Sequence, residues 1–217
     1  MSAATRGRGR PANTSSGDTV AAVLQAGRRL FATRGYAGTS NREVAAAAGL
    51  THTAIYNHFG SKAQLFTAVF VDVQDLLIAE LERSAGAAPG RPPLPGAMLD
   101  AIETLRAADP SYVEFLASMY VEVRRHPELQ AVFREGPPFP IVDTLRGLAG
   151  GPPPGATDAD GSDPMWFWIA FALGLAQLST LADPDTFAAT VTAFRRQFAT
   201  GPAAGPMHRT PTGDDTP

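Results

Sequence analysis

Thr51, His52, Thr53, Tyr56 and Asn57 fall within Asn41–Gly60, NREVAAAAGLTHTAIYNHFG, at helical spacing. They offer short hydroxyls, an imidazole, a phenol and a carboxamide, groups that hydrogen-bond base edges and phosphates. Other chemistries find little support. The histidines His52, His58, His126 and His208 contain no i, i+4 pair, and there is no cysteine to complete a zinc set, so no metal site is expected. The lack of cysteine also excludes disulfides and thiol nucleophiles. No Gly-x-Ser-x-Gly elbow, phosphate-binding glycine loop or paired-carboxylate signature is visible. Neither an enzyme nor a bound cofactor is therefore expected.

The elements that must position these residues are helices. Val44, Ala45, Ala48, Leu50 and Ile55 supply the small and apolar positions that let two short helices cross, Gly49 permits the turn between them, and Ser40 with Glu43 caps the first. This spacing predicts a helix-turn-helix. A preceding helix carries Val23, Leu24, Gly27, Leu30 and Phe31, with Asp18 as its expected N-cap and Gly35 as its stop. Ser61 with Gln64 opens a long amphipathic helix through Leu65, Phe66, Val69, Phe70, Val73, Leu76, Leu77 and Leu81. Asp109–Pro110, Asp163–Pro164 and Asp183–Pro184 each place a capping carboxylate before a proline suited to a first helical turn. No stretch alternates with period two. An all-α chain of about nine helices is predicted, with an N-terminal three-helix helix-turn-helix unit followed by a larger helical body.

The 217 residues, 44% apolar, suffice to bury a core. Charge is uneven along them. Residues 1–62 hold eight basic side chains (Arg6, Arg8, Arg10, Arg28, Arg29, Arg34, Arg42, Lys62) against Asp18 and Glu43, a balance of +6, which leaves −9 for the remainder of a chain whose net charge is −3. Such asymmetry points to nucleic acid at the amino end. The expected organisation is a basic arm at 1–17, a DNA-binding unit at 18–62, a helical ligand-binding and dimerisation unit at 63–200, and a polar tail at 201–217. Met1–Gly17 has no apolar signal-like run, and Pro164–Ala182 reads as a buried helix rather than a membrane span, so a cytoplasmic location without a membrane partner is expected.

The stretch LFATRGYAGTSNREVAAAAGLTHTAIYNHFGSKAQLF at Leu30–Phe66 resembles the tetracycline-repressor-type (TetR/AcrR) family of transcriptional regulators. The resemblance lies in Leu-Phe and Gly at the end of the first helix, Thr39 before the second, Ala48–Gly49, Tyr56, His58, Phe59, Lys62 and Leu65. It implies phosphate contacts from Tyr56, His58 and Lys62, with Thr39, Ser40, Arg42, Thr51, His52, Thr53 and Asn57 completing the DNA surface. Thr53 stands where many members have Gly, which favours a side-chain contact there. Lys62 is a cation in a helix's first turn, where it opposes the macrodipole; a phosphate bound there would reverse that penalty. Arg8–Gly9–Arg10–Pro11 resembles the core of an AT-hook, whose arginines lie in a narrow minor groove; a solvated tail is the plainer reading.

The remaining aromatic and methionine residues suit either an apolar ligand site or simple core packing. Met98, Tyr112, Phe115, Met119, Phe133, Trp166 and Phe171 are the candidate pocket lining. The helix Asp163–Leu181 is apolar around its circumference and must be buried on more than one side. The resemblance implies a homodimer, for which Trp168, Leu175, Leu178, Phe187, Val191, Phe194 and Phe198 are the candidate interface. The expected partners are thus double-stranded DNA with a palindromic operator, a small apolar or aromatic effector, and a second copy of the chain. Two other readings stay open: an architectural DNA-binding protein without an effector, and an α-helical enzyme or carrier whose helix-turn-helix is vestigial.

Overall fold

The computed structural model describes residues 16–86, 93–135, 140–149 and 165–200. Among these the fold is all-α, with ten helices and no strand: α1 (Ser16–Arg34), α2 (Asn41–Ala47), α3 (His52–Phe59), α4 (Lys62–Gly86), α5 (Pro93–Ala108), α6 (Ser111–Arg125), α7 (Pro127–Glu135), α8 (Pro140–Ala149), α9 (Met165–Leu181) and α10 (Pro184–Thr200). The count exceeds the expected nine. One break lies at His126, which is extended (φ −117°, ψ 106°) because the ring of Pro127 disfavours a helical residue before it. The Arg8–Arg10 arm, the Asp163 cap and the 201–217 tail lie outside the described residues.

Local chemistry sets the helix ends. Arg34 is the last residue of α1, and Gly35 follows with φ 70°, a conformation that costs glycine nothing. Asp18 is not the N-cap of α1: the helix begins at Ser16, which puts the carboxylate within its first turn, where it still faces the positive end of the dipole. Ser61 Oγ accepts the Gln64 N–H at 3.1 Å at the head of α4. Asp183 Oδ1 accepts the N–H groups of Asp185 and Thr186 and caps α10, whereas the N-cap position of α6 is Pro110 and Asp109, one residue before it, accepts the Ser111 N–H through Oδ1.

The long α4 joins the amino-terminal helices to the body. It packs on α1, where a Cβ at Gly27 would come within 3.0 Å of Val69 Cγ2, and it packs along α5, α7 and α8. Phe31, Tyr36, Phe66 and Phe115 form one aromatic cluster where α1, α4 and α6 meet, with ring centroids 5.0 to 6.2 Å apart between contacting pairs. A single core therefore runs from Val23 to Val191. Among the described residues no helix is long and apolar enough to cross a membrane.

Candidate nucleic-acid interface

Helices α2 and α3 cross over a small apolar seam. Val44, Ala45 and Ile55 are buried in it, and Ala48, Leu50 and Phe59 pack against it. Gly49 takes φ 71° in the turn, which lets the Leu50 N–H reach Ala45 O at 2.8 Å. Ser40 and Glu43 form a reciprocal capping box: the Glu43 carboxylate accepts from the Ser40 N–H and hydroxyl, and the Glu43 N–H donates to Ser40 Oγ. These bonds hold the Glu43 carboxyl below its usual range, with Arg34 assisting. Thr51 caps α3 by accepting the Ala54 N–H.

With Ile55 turned inward, α3 presents His52, Thr53, Tyr56, Asn57 and His58 outward, all exposed. The rings of His52 and Tyr56, one turn apart, meet edge to face at 4.7 Å. They border an open concavity of about 400 Å³ that also takes in Ser40, Asn41, Arg42 and Lys62. Thr51, Thr53, Asn57 and His58 lie outside it, on the ridge of the helix.

Residues 23–69 match the profile of the bacterial regulatory proteins of the tetR family. A helix-turn-helix transcriptional repressor of Mycobacterium tuberculosis is 48% identical over 52 residues, which cover 24% of this chain and 28% of that protein. The helix-turn-helix transcriptional regulator AcrR of Shigella flexneri is 33% identical over 113 residues, 52% of this chain and 47% of the relative. The chain thus spans about half or less of the length of these curated relatives. Among solved structures, NalD, the secondary repressor of the MexAB-OprM multidrug efflux pump in Pseudomonas aeruginosa, shares the fold with a TM-score of 0.57 at 24% identity, over 88% of this chain and 99% of that one. A transcriptional regulator from Streptomyces coelicolor does so with 0.55 at 23%, over 82% and 96%.

Residues 23–69 thus carry the amino-terminal domain of the tetR family. Part of the basic excess at the amino end is answered within the chain. Arg28 is only 2% exposed and Arg29 reaches the same carboxylate, Asp109, while Arg34 pairs with Glu43 at 2.9 Å. Of the basic residues in 16–62, Arg42 and Lys62 are the two at the concavity.

Lys62 has a further task. Its Nζ donates to Tyr36 O at 2.9 Å and Thr39 O at 3.1 Å and lies 4.1 Å from the centre of the Tyr36 ring. A cation in the first turn of α4 is tolerated because it reaches back across the α1–α2 turn and closes it. Burial lowers the Lys62 pKa, opposed by Glu128 and Glu122. The ammonium has three donors, so one is left for a phosphate. Thr39, at the edge of the same concavity, is 2% exposed, and its hydroxyl donates to Leu30 O and Gly35 O, so the side chain fixes the turn. The Ser40 hydroxyl is likewise engaged in its capping box.

The candidate pocket also needs correction. A cavity of about 60 Å³ lies among α4, α5, α6, α8 and α9, and of the seven proposed lining residues only Met119 borders it. Phe115 is wholly buried against Phe66, and Met98 is core. Tyr112 lies under the Arg28 guanidinium at 3.4 Å, and Phe133 packs on Phe70 at 5.3 Å. Phe171 is edge-on to Phe194 and Phe198, whereas Trp166 is 71% exposed. Aromatic density in the sequence signals burial but not which face of a helix meets a cavity. The polar wall residue, Gln74, was hidden by its place in an apolar run.

Four of the proposed dimer residues, Trp168, Leu175, Phe187 and Val191, are buried within the single chain, so they are core rather than interface; Leu178, Phe194 and Phe198 are half-buried. The exposed stripe of α9 is instead Phe167, Ala170, Gly174 and Leu181. Its 3–4–7 spacing was masked by the apolar character of the whole helix.

Proposed function

We propose that this chain is a cytoplasmic, ligand-responsive transcriptional repressor of the TetR family whose dimer sets two α3 helices into successive major grooves of a palindromic operator. The single observation that carries the reading is the division of α3: Ile55 wholly buried, with Thr53, Tyr56 and Asn57 exposed beside a concavity bearing Arg42 and Lys62. In this reading residues 18–62 are the DNA-reading unit and 63–200 the effector and dimerisation unit. Thr53 and Asn57, on the ridge, read bases; Arg42, Tyr56, His58 and the remaining donor of Lys62 hold phosphates. The sign of regulation is supported by the mycobacterial relative, which is named a repressor.

Release is a population shift. Phe70, Gln74 and Leu77 of α4 form one wall of the apolar cavity, and the first turn of the same helix holds Lys62 and the α1–α2 turn. Drug-sized ligands occupy sites of roughly 300–1,000 Å³, so one entering this 60 Å³ space must part the walls and carry α4 with them. Preference for the parted state by about 1–3 kcal/mol is enough for a working switch.

The test is operator selection from random duplexes, followed by binding measurements over a range of salt. Tyr56→Phe and Arg42→Ala should weaken operator and random DNA equally, the latter with a shallower salt slope, while Thr53→Ala and Asn57→Ala should change the selected sequence. Equal affinity for selected and random DNA would replace the regulator with an architectural protein.

A further inference from the structure

The apolar cavity contains one feature that pure hydrophobic packing does not explain. Among the thirteen described residues that line it none is charged, and only Gln74 and Tyr120 bring polar side-chain atoms. Tyr120 is 44% exposed and can satisfy its phenol from solvent. Gln74 is 3% exposed, and its Oε1 has no hydrogen-bond partner among the described residues. A buried carbonyl oxygen without a donor is a standing cost in the empty protein, and a ligand that supplies the donor removes it.

We infer that the cavity selects neutral, largely apolar molecules bearing one hydroxyl, phenols or alkanols, and that Gln74 is the residue that reads the hydroxyl. The inference rests on the proposal that this cavity is the effector site. A charged ligand is disfavoured because none of the described lining residues can pair with it. A plain hydrocarbon fills the space but leaves Oε1 orphaned, whereas a hydroxyl donates to it and keeps the rest of the ligand against aliphatic walls. The position of Gln74 gives the contact a consequence. It lies twelve residues beyond Lys62 on one continuous helix, about 18 Å along the axis at 1.5 Å per residue, with Phe70 and Leu77 beside it on the cavity wall.

The experiment is calorimetric binding of 4-propylphenol and propylbenzene to the full chain, in the wild type and in Gln74→Leu. The phenol-to-hydrocarbon affinity ratio should fall at least about tenfold in the variant, because the phenol loses its acceptor and the hydrocarbon no longer meets an orphaned one. Gln74→Met, closer in shape, carries the same expectation should the leucine variant not fold. A ratio that changes less than twofold, with both probes still bound, overturns the role of Gln74 and leaves the cavity as an effector site. Binding of neither probe to the wild type, or binding that survives filling the cavity with Ala176→Phe, overturns the effector site itself and the hydroxyl reading with it.

Discussion

Arg28 of α1 and Asp109 at the head of α6 form an ion pair at 2.9 Å, although 81 residues separate them in the sequence. The guanidinium is buried, donates through Nε to Ser111 Oγ and stacks on Tyr112. Asp109 in turn accepts from the Ser111 N–H and hydroxyl and from Arg29. Every polar atom named is matched, which is the condition under which a buried charge is tolerated. The pair ties α1 to α6, whose Leu116 and Met119 border the cavity. In the proposed release, movement of that wall would reach the amino-terminal helices by two routes, through α4 and through Arg28.

Asp109→Ala leaves Arg28 buried without its counter-charge and should cost about 3–5 kcal/mol in urea unfolding, the usual penalty for breaking a buried pair from one side. The double variant Arg28→Met with Asp109→Ala should recover most of that loss. A single variant that costs less than about 1 kcal/mol would mean that the guanidinium finds water instead and that the tie is not structural.

Lys62→Ala tests a different kind of contact. Because the ammonium closes the α1–α2 turn through Tyr36 O and Thr39 O, its removal should lower stability by about 1.5–3 kcal/mol, in the range of hydrogen bonds to a charged group, as well as weaken DNA binding. Tyr56→Phe should weaken DNA binding with no measurable change in melting temperature. A Lys62→Ala protein as stable as the wild type would reduce this lysine to a phosphate contact alone.

The helix-turn-helix was legible in the sequence because each of its determinants is local: the Ser40–Glu43 box, Gly49 at positive φ, and the apolar seam of Val44, Ala45 and Ile55 lie within sixteen residues. Charge was less legible. The basic excess of the first sixty residues hides the fact that Arg28 and Arg29 answer Asp109, a relation that only tertiary packing creates. The cavity and the outer face of α9 were least legible, since a helix apolar on every side carries no periodicity to tell Trp168 and Leu175, which face inward, from Phe167 and Gly174, which do not. Capping spacing, by contrast, located Asp183 at the head of α10 and came within one residue at α6, because a carboxylate and a following proline act within one turn.

The exposed stripe of α9 yields a prediction about assembly. Leu181 is 81% exposed, and a Cβ at Gly174 meets nothing within 4 Å in the single chain, so both positions are open for a second copy to approach. Gly174→Leu and Leu181→Glu should leave the monomer folded by circular dichroism and shift sedimentation from dimer to monomer at micromolar concentration. Operator affinity should fall with them, because two half-sites are then held by separate molecules. Dimers that persist in both variants would place the two-fold axis elsewhere.

Acid stability provides the last test, and its sign follows from Asp109. Burial alone would raise this carboxyl, but the bonds from Ser111, Arg29 and Arg28 outweigh it and hold the pKa at about 2. An unfolded aspartate titrates near ~3.9, so the folded value is depressed and the group's stabilisation is complete above that value. It is lost as pH falls towards 2. Asp72, which burial raises, titrates in the opposite sense, but it is present in both proteins and largely cancels in their difference. The stability gap between wild type and Asp109→Asn, measured by urea unfolding, should therefore stay constant from pH 7 to about 5 and close between about 4 and 2. A gap that persists or widens on acidification would show that the carboxylate charge is not what holds Arg28.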